Sequence, residues 1–114
     1  MKLPLEIETP NIRLGFDIVG KDGSLSSGAI VEAPGGVTIT YQGTIERRGF
    51  DIPAILQFIV DVSVTIELSL FAAWLYDKTK SRNVSKIRIG RKTITEITPQ
   101  KIKQTLEEEM EMYE

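Results

Sequence analysis

Apolar and polar positions alternate through most of the first half of the chain. Leu3, Leu5 and Ile7 are separated by Pro4, Glu6 and Glu8, the period-two pattern of a strand with one buried face. Pro4 lacks an N–H, which places this strand at a sheet edge or the proline at the strand's opening. Ile12, Leu14, Phe16 and Ile18 alternate with Arg13, Gly15 and Asp17 and predict a second strand. Residues 29–33 and 37–46 predict a third and a fourth, joined by a turn at Pro34-Gly35-Gly36, with Gly43 marking a bulge.

The longest apolar run follows, DIPAILQFIVDVSVTIELSLFAAWLYDKTK, and two periods compete inside it. Val60, Val62, Val64, Ile66, Leu68 and Leu70 alternate with polar residues, a strand signal rich in β-branched side chains. The flanks favour a helix. Asp51 can cap a first turn, Pro53 fits early in a helix, and no Gly or Pro interrupts the chain from there to Asn83. Helix-forming residues and lysines close the run. The expectation is one helix over residues 53–78, with Ile55, Ile59, Val62, Ile66 and Leu70 sharing an apolar face. A helix that apolar needs cover on most sides, from a sheet, a second helix or another copy of the chain. Its length would allow a membrane span, but Asp61 and Glu67 near its middle would each cost about 2.5–3.5 kcal/mol, so no span is expected.

Beyond a polar connection, KIRIGRKTITEI predicts a β-hairpin. Gly90-Arg91 forms its two-residue turn, and Ile87 faces Ile94. Thr98 as cap and Pro99 at the first helical position open a last helix. Ile102, Leu106, Met110 and Tyr113 form its apolar stripe. Its lysines lie early and its glutamates late, against the helix dipole. A misfit of that kind points to a compensating neighbour or a functional constraint. The predicted fold is therefore a single α+β domain, residues 1–114. About four N-terminal strands and a C-terminal β-hairpin form an antiparallel sheet packed on one long apolar central helix, with a short C-terminal helix.

Composition narrows the chemistry. Of 114 residues none is cysteine or histidine. That removes disulfides, thiolate and imidazole metal sites, cysteine nucleophiles and histidine-based general acid–base catalysis. The start of the sequence has no long apolar core of a signal peptide, and a cytoplasmic location is expected. The net charge of −2 hides strong segregation: −5 over residues 1–77, +8 over 78–103 and −5 over 104–114.

Several constellations have ordinary explanations. GSLSSG, residues 23–28, has the small residues of a phosphate loop but no following Gly-Lys-Ser/Thr and no helix after it, so it reads as a plain loop. Asp61 and Glu67 diverge by about 240° on a helix, or lie about 20 Å apart on a strand, and make no catalytic or metal-binding pair. The terminal run EEEMEMYE has no EF-hand spacing; it reads as a solvated acidic tail, or as a docking element for a basic partner or for this chain's own basic block. Trp74 and Tyr76 point apart near the end of the central helix, so that one can pack inward while the other meets a partner.

No catalytic, cofactor-binding or metal-ligating residue is expected, and no cofactor. The candidate contact residues are Lys86, Arg88, Arg91 and Lys92 of the basic block, Trp74 and Tyr76, and the acids Glu107, Glu108 and Glu109. The expected role is a small non-catalytic module that binds a partner protein, in the manner of bacterial or phage immunity, inhibitor or regulatory proteins. Two other roles are compatible with the sequence. One is a nucleic-acid-binding regulator using the basic hairpin at 86–92, although the block lacks aromatic stacking residues. The other is a self-assembling structural protein, a homo-oligomer packed through the central helix.

Overall fold

The structure, a computed structural model, describes residues 2–11, 13–19, 27–46, 52–62, 67–80 and 83–112, without the side chains of Phe16, Asp17 and Val19. Its elements in chain order are β1 (Lys2–Thr9), α1 (Leu14–Val19), β2 (Ile30–Ala33), β3 (Val37–Ile45), β4 (Ala54–Val62), α2 (Leu68–Thr79), β5 (Lys86–Ile89), β6 (Lys92–Ile94) and α3 (Pro99–Met112). The six strands form one sheet in the order β2-β3-β4-β1-β5-β6, every neighbouring pair antiparallel.

The long central helix does not exist. Residues 54–62 form β4, and the helix over this stretch is only α2, twelve residues long. The period-two signal prevails because both neighbouring strands share it. Ala54, Leu56, Phe58, Val60 and Val62 are buried in strict alternation. Leu3, Leu5 and Ile7 of β1 lie on one side of them, and Val37, Ile39 and Tyr41 of β3 on the other. A helix would bury a single stripe of these residues, whereas the strand buries every second one, each of Leu56, Phe58, Val60 and Val62 contributing about 1.5–3 kcal/mol. The missing Gly or Pro was misleading, since the change from strand to helix is fixed by a contact distant in sequence. The Glu67 N–H donates to the Gly35 carbonyl at 3.0 Å, which ties the start of α2 to the β2–β3 turn. Gly35 has φ +88°, and a Cβ there would strike the Glu67 carbonyl oxygen.

The expected second strand is corrected as well, because Leu14–Val19 is helix α1. The Asn11 side chain accepts from the Arg13 N–H at 3.1 Å, and the Thr9 hydroxyl accepts from the Asn11 N–H at 3.1 Å. These bonds satisfy the backbone of a first turn. Leu14 and Ile18, one helical turn apart, are both buried. β1 is a central strand rather than an edge. Pro4 is accommodated because it lies level with the end of β5, where its carbonyl accepts from the Gly90 N–H at 2.8 Å. Its absent N–H therefore faces a position where the ladder is already ending.

Other elements fall where the sequence places them. Pro34–Gly36 turns between β2 and β3, and the β3–β4 register shifts between Tyr41 and Gly43, at the expected bulge. Ile87 pairs with Ile94 across the Gly90-Arg91 turn. Gly90 has φ +60° and Arg91 is not left-handed, the geometry of a II′ turn. The Lys101 N–H donates to the Thr98 hydroxyl at 3.1 Å, capping α3 ahead of Pro99. The proposed Asp51 cap, residues 20–26, 47–50 and 63–66, and Tyr113 lie outside the described residues.

The core lies between one face of the sheet and the helices. Phe71 and Leu75 of α2 and Ile102 and Leu106 of α3 join the buried strand residues in a single cluster. The opposite face of the sheet carries the alternate residues of every strand, and among the described residues no element covers it. No described helix is long and apolar enough to cross a membrane.

Candidate functional site

The register of the sheet divides the basic block between two places. β5 alternates Lys86 and Arg88, which are exposed, with Ile87 and Ile89, which are buried. The two bases therefore stand on the uncovered face. Beside them on β1, Glu6 lies opposite Arg88 and Glu8 opposite Lys86. The Lys86 ammonium is 3.6 Å from the Glu8 carboxylate. Glu6, Glu8, Ile55, Lys86, Arg88 and Thr93 line a shallow cavity of approximately 180 Å³. A second hollow continues along the strip past Pro4, Glu6, Arg88 and Gly90. The result is a strip in which acids and bases stand side by side. Glu6 and Glu8 were not singled out from the sequence, although their alternation with Leu3, Leu5 and Ile7 already placed them on the outer face.

Arg91 and Lys92 lie at the hairpin tip, and there the chain answers its own charge. Lys92 forms a salt bridge with Glu108 of α3. The Arg91 backbone N–H donates to a carboxylate oxygen of Glu109. Glu109 is only 1% exposed, so the picture of a fully solvated acidic tail is corrected at this residue. Its carboxylate lies against Gly90 so closely that a Cβ on that glycine would collide with it. Glu107 is exposed and faces Lys103 at 3.7 Å, one turn away. Glu108 also accepts from the Gln104 amide at 3.0 Å. The late acids of α3, set against the helix dipole, thus have a compensating neighbour in the hairpin. The Arg91 guanidinium remains exposed, and among the described residues neither it nor Arg88 forms a salt bridge.

Trp74 and Tyr76 sit on α2, away from the charged strip. Both are half-buried and pack against the core. The Trp74 ring stacks on Phe71 with centroids 5.9 Å apart, and the Lys78 ammonium lies 5.8 Å from the indole centroid. The structure does not bring these two aromatics together with Arg88. At the end of α2, a hydrogen bond and the charge of Lys80 hold the Asp77 carboxyl below its usual range, and Asp77 correspondingly raises Lys80. The pair is exposed at 2.8 Å.

Chemically, the strip offers two carboxylates, an ammonium and a guanidinium on a rigid sheet. Such a surface can engage complementary side chains and backbone groups of another macromolecule. Compared with known proteins, the chain matches no family model, no curated protein and no solved structure.

Proposed function

We propose that this protein is a non-catalytic module that binds a partner protein through the strip formed by Glu6, Glu8, Lys86 and Arg88, extended by Arg91 at the hairpin tip. The observation that carries this reading is the interleaving of charge. Each base of β5 stands opposite an acid of β1, and Lys92 is bound to Glu108. A phosphate backbone favours a continuous basic footprint, whereas a folded protein partner presents mixed charges that a mixed strip can match. The complete absence of histidine and cysteine further favours binding over catalysis.

The test is affinity capture of the full chain from native lysate, with and without nuclease, beside Arg88→Glu/Arg91→Glu. The expected result is a stoichiometric protein that survives nuclease and is lost from the double variant. Nucleic acid that co-purifies with the wild type and vanishes in the variant would overturn this reading in favour of a nucleic-acid-binding regulator. Its affinity would then fall steeply with added salt.

A further inference from the structure

The uncovered face has a second half, distinct from the charged strip. Ile30 of β2 and Ile45 of β3 are 55% and 46% exposed. Ile55 and Ile59 of β4 stand half-buried on the same face, because their neighbours Leu56, Phe58 and Val60 all turn to the core. The register assembles them into rows. Ile45 lies beside Ile55, and Ile30, Thr40, Ile59 and Pro4 form one line across four strands. At the end of this patch a further line runs Glu32, Thr38, Asp61 and Lys2, with an acid at one side of the patch and a base at the other.

That layout is self-complementary. Consider a two-fold axis parallel to the strands, passing between β3 and β4, with two sheets face to face. The operation keeps each line level and reverses the strand order. β4 of one copy then lies over β3 of the other, and β1 over β2. Ile55 meets the other copy's Ile45, Pro4 meets its Ile30, and Lys2 meets its Glu32, each contact occurring twice as an isologous interface requires. In this arrangement Asp61 meets the other copy's Thr38, a hydroxyl able to donate to it, whereas a two-fold axis across the strands level with Phe58 would set Asp61 over Ile55, burying a carboxylate against an apolar side chain. Lys86 and Arg88, on β5, fall outside the overlap, whereas Glu6 and Glu8, on β1, border it beyond the end of the four-residue β2.

We infer that this isoleucine-bearing half of the sheet is covered by a second copy of the same chain, giving a face-to-face dimer across β2, β3, β4 and β1. The overlap takes in the four residues of β2, the same length of β1, and the nine residues each of β3 and β4. At the usual strand spacing and rise these cover about 850 Å² of flat area over the two faces together, close to the roughly 1,000 Å² expected of a specific interface. Aligned sheets pack with a rotation of about 30°, which long side chains such as Lys2 and Glu32 can span. The dimer leaves the Lys86 and Arg88 side of each charged strip on its outer flanks, so it is compatible with partner binding without depending on it.

The test is sedimentation equilibrium of the full chain and four variants, each checked for native circular dichroism. The wild type is expected to be a dimer. Ile59→Lys is expected to be monomeric. Lys2→Glu sets like charges opposite each other and weakens dimerisation roughly tenfold or more, and Lys2→Glu/Glu32→Lys recovers most of that loss. Arg88→Glu, outside the overlap, leaves the dimer unchanged. A wild type that stays monomeric at roughly millimolar concentration, where even a weak specific dimer would form, overturns the inference. So does a dimer indifferent to Ile59→Lys, or a charge swap that fails to restore what Lys2→Glu removes. Because the lysate capture uses Arg88 and Arg91, its failure and the failure of the dimer are separate results.

Discussion

The residue that joins the two halves of the C-terminal region is Glu109. Buried on α3, it accepts from the Arg91 N–H and fills the space above Gly90. Glu109→Ala leaves that donor without its partner and should cost about 2–3 kcal/mol in urea unfolding. Glu109→Gln keeps an acceptor and should cost less than about 1 kcal/mol. Equal losses from the two would show that the carboxylate's volume, not its hydrogen bond, matters. Gly90 and Thr98 were legible in the sequence because a turn position and a helix cap depend on chemistry within a few residues. Glu109 was legible only as one of a run of acids able to dock on the basic block, since its partner is 18 positions away and Glu107, Glu108 and Glu111 carry the same charge. Glu6 and Glu8 were half legible. Alternation gave their face, but only the register set them beside Arg88 and Lys86.

Among the elements, β4 decides the fold. Capping signals at Asp51 and Pro53 favoured a helix, and they are local. The alternation of residues 54–62 is satisfied by β1 and β3, which lie far away in sequence and outweigh local propensity. An alanine scan across β4 should therefore show period two in its stability losses. Phe58→Ala should cost about 3–5 kcal/mol, whereas Gln57→Ala should stay within about 0.5 kcal/mol. Losses recurring every three or four residues would restore the helix. The hairpin and α3 were readable in advance because their register and cap are encoded in the turn itself. The strand order was not, and neither was the central place of β1, since nothing in an alternating strand names its neighbours.

At the level of the molecule, one face of the sheet meets the helices and, among the described residues, nothing covers the other. We propose the open face as the surface of interaction. The correction of the central helix moves the proposed site of self-association as well. Among the described residues no long helix is available to pack between copies, and the inferred dimer uses the isoleucines of β2, β3 and β4 instead. The charged strip beside them is the surface assigned to a partner protein. The most direct measurement places a benzophenone amino acid at Thr93, on the open face next to Arg88, and a second, in a separate sample, at Ala73, exposed on α2. Both proteins are irradiated in native lysate after nuclease treatment. A discrete protein adduct from position 93 and none from position 73 is the predicted result. An adduct only from position 73, or none from position 93, would contradict the assignment of the open face as the binding surface.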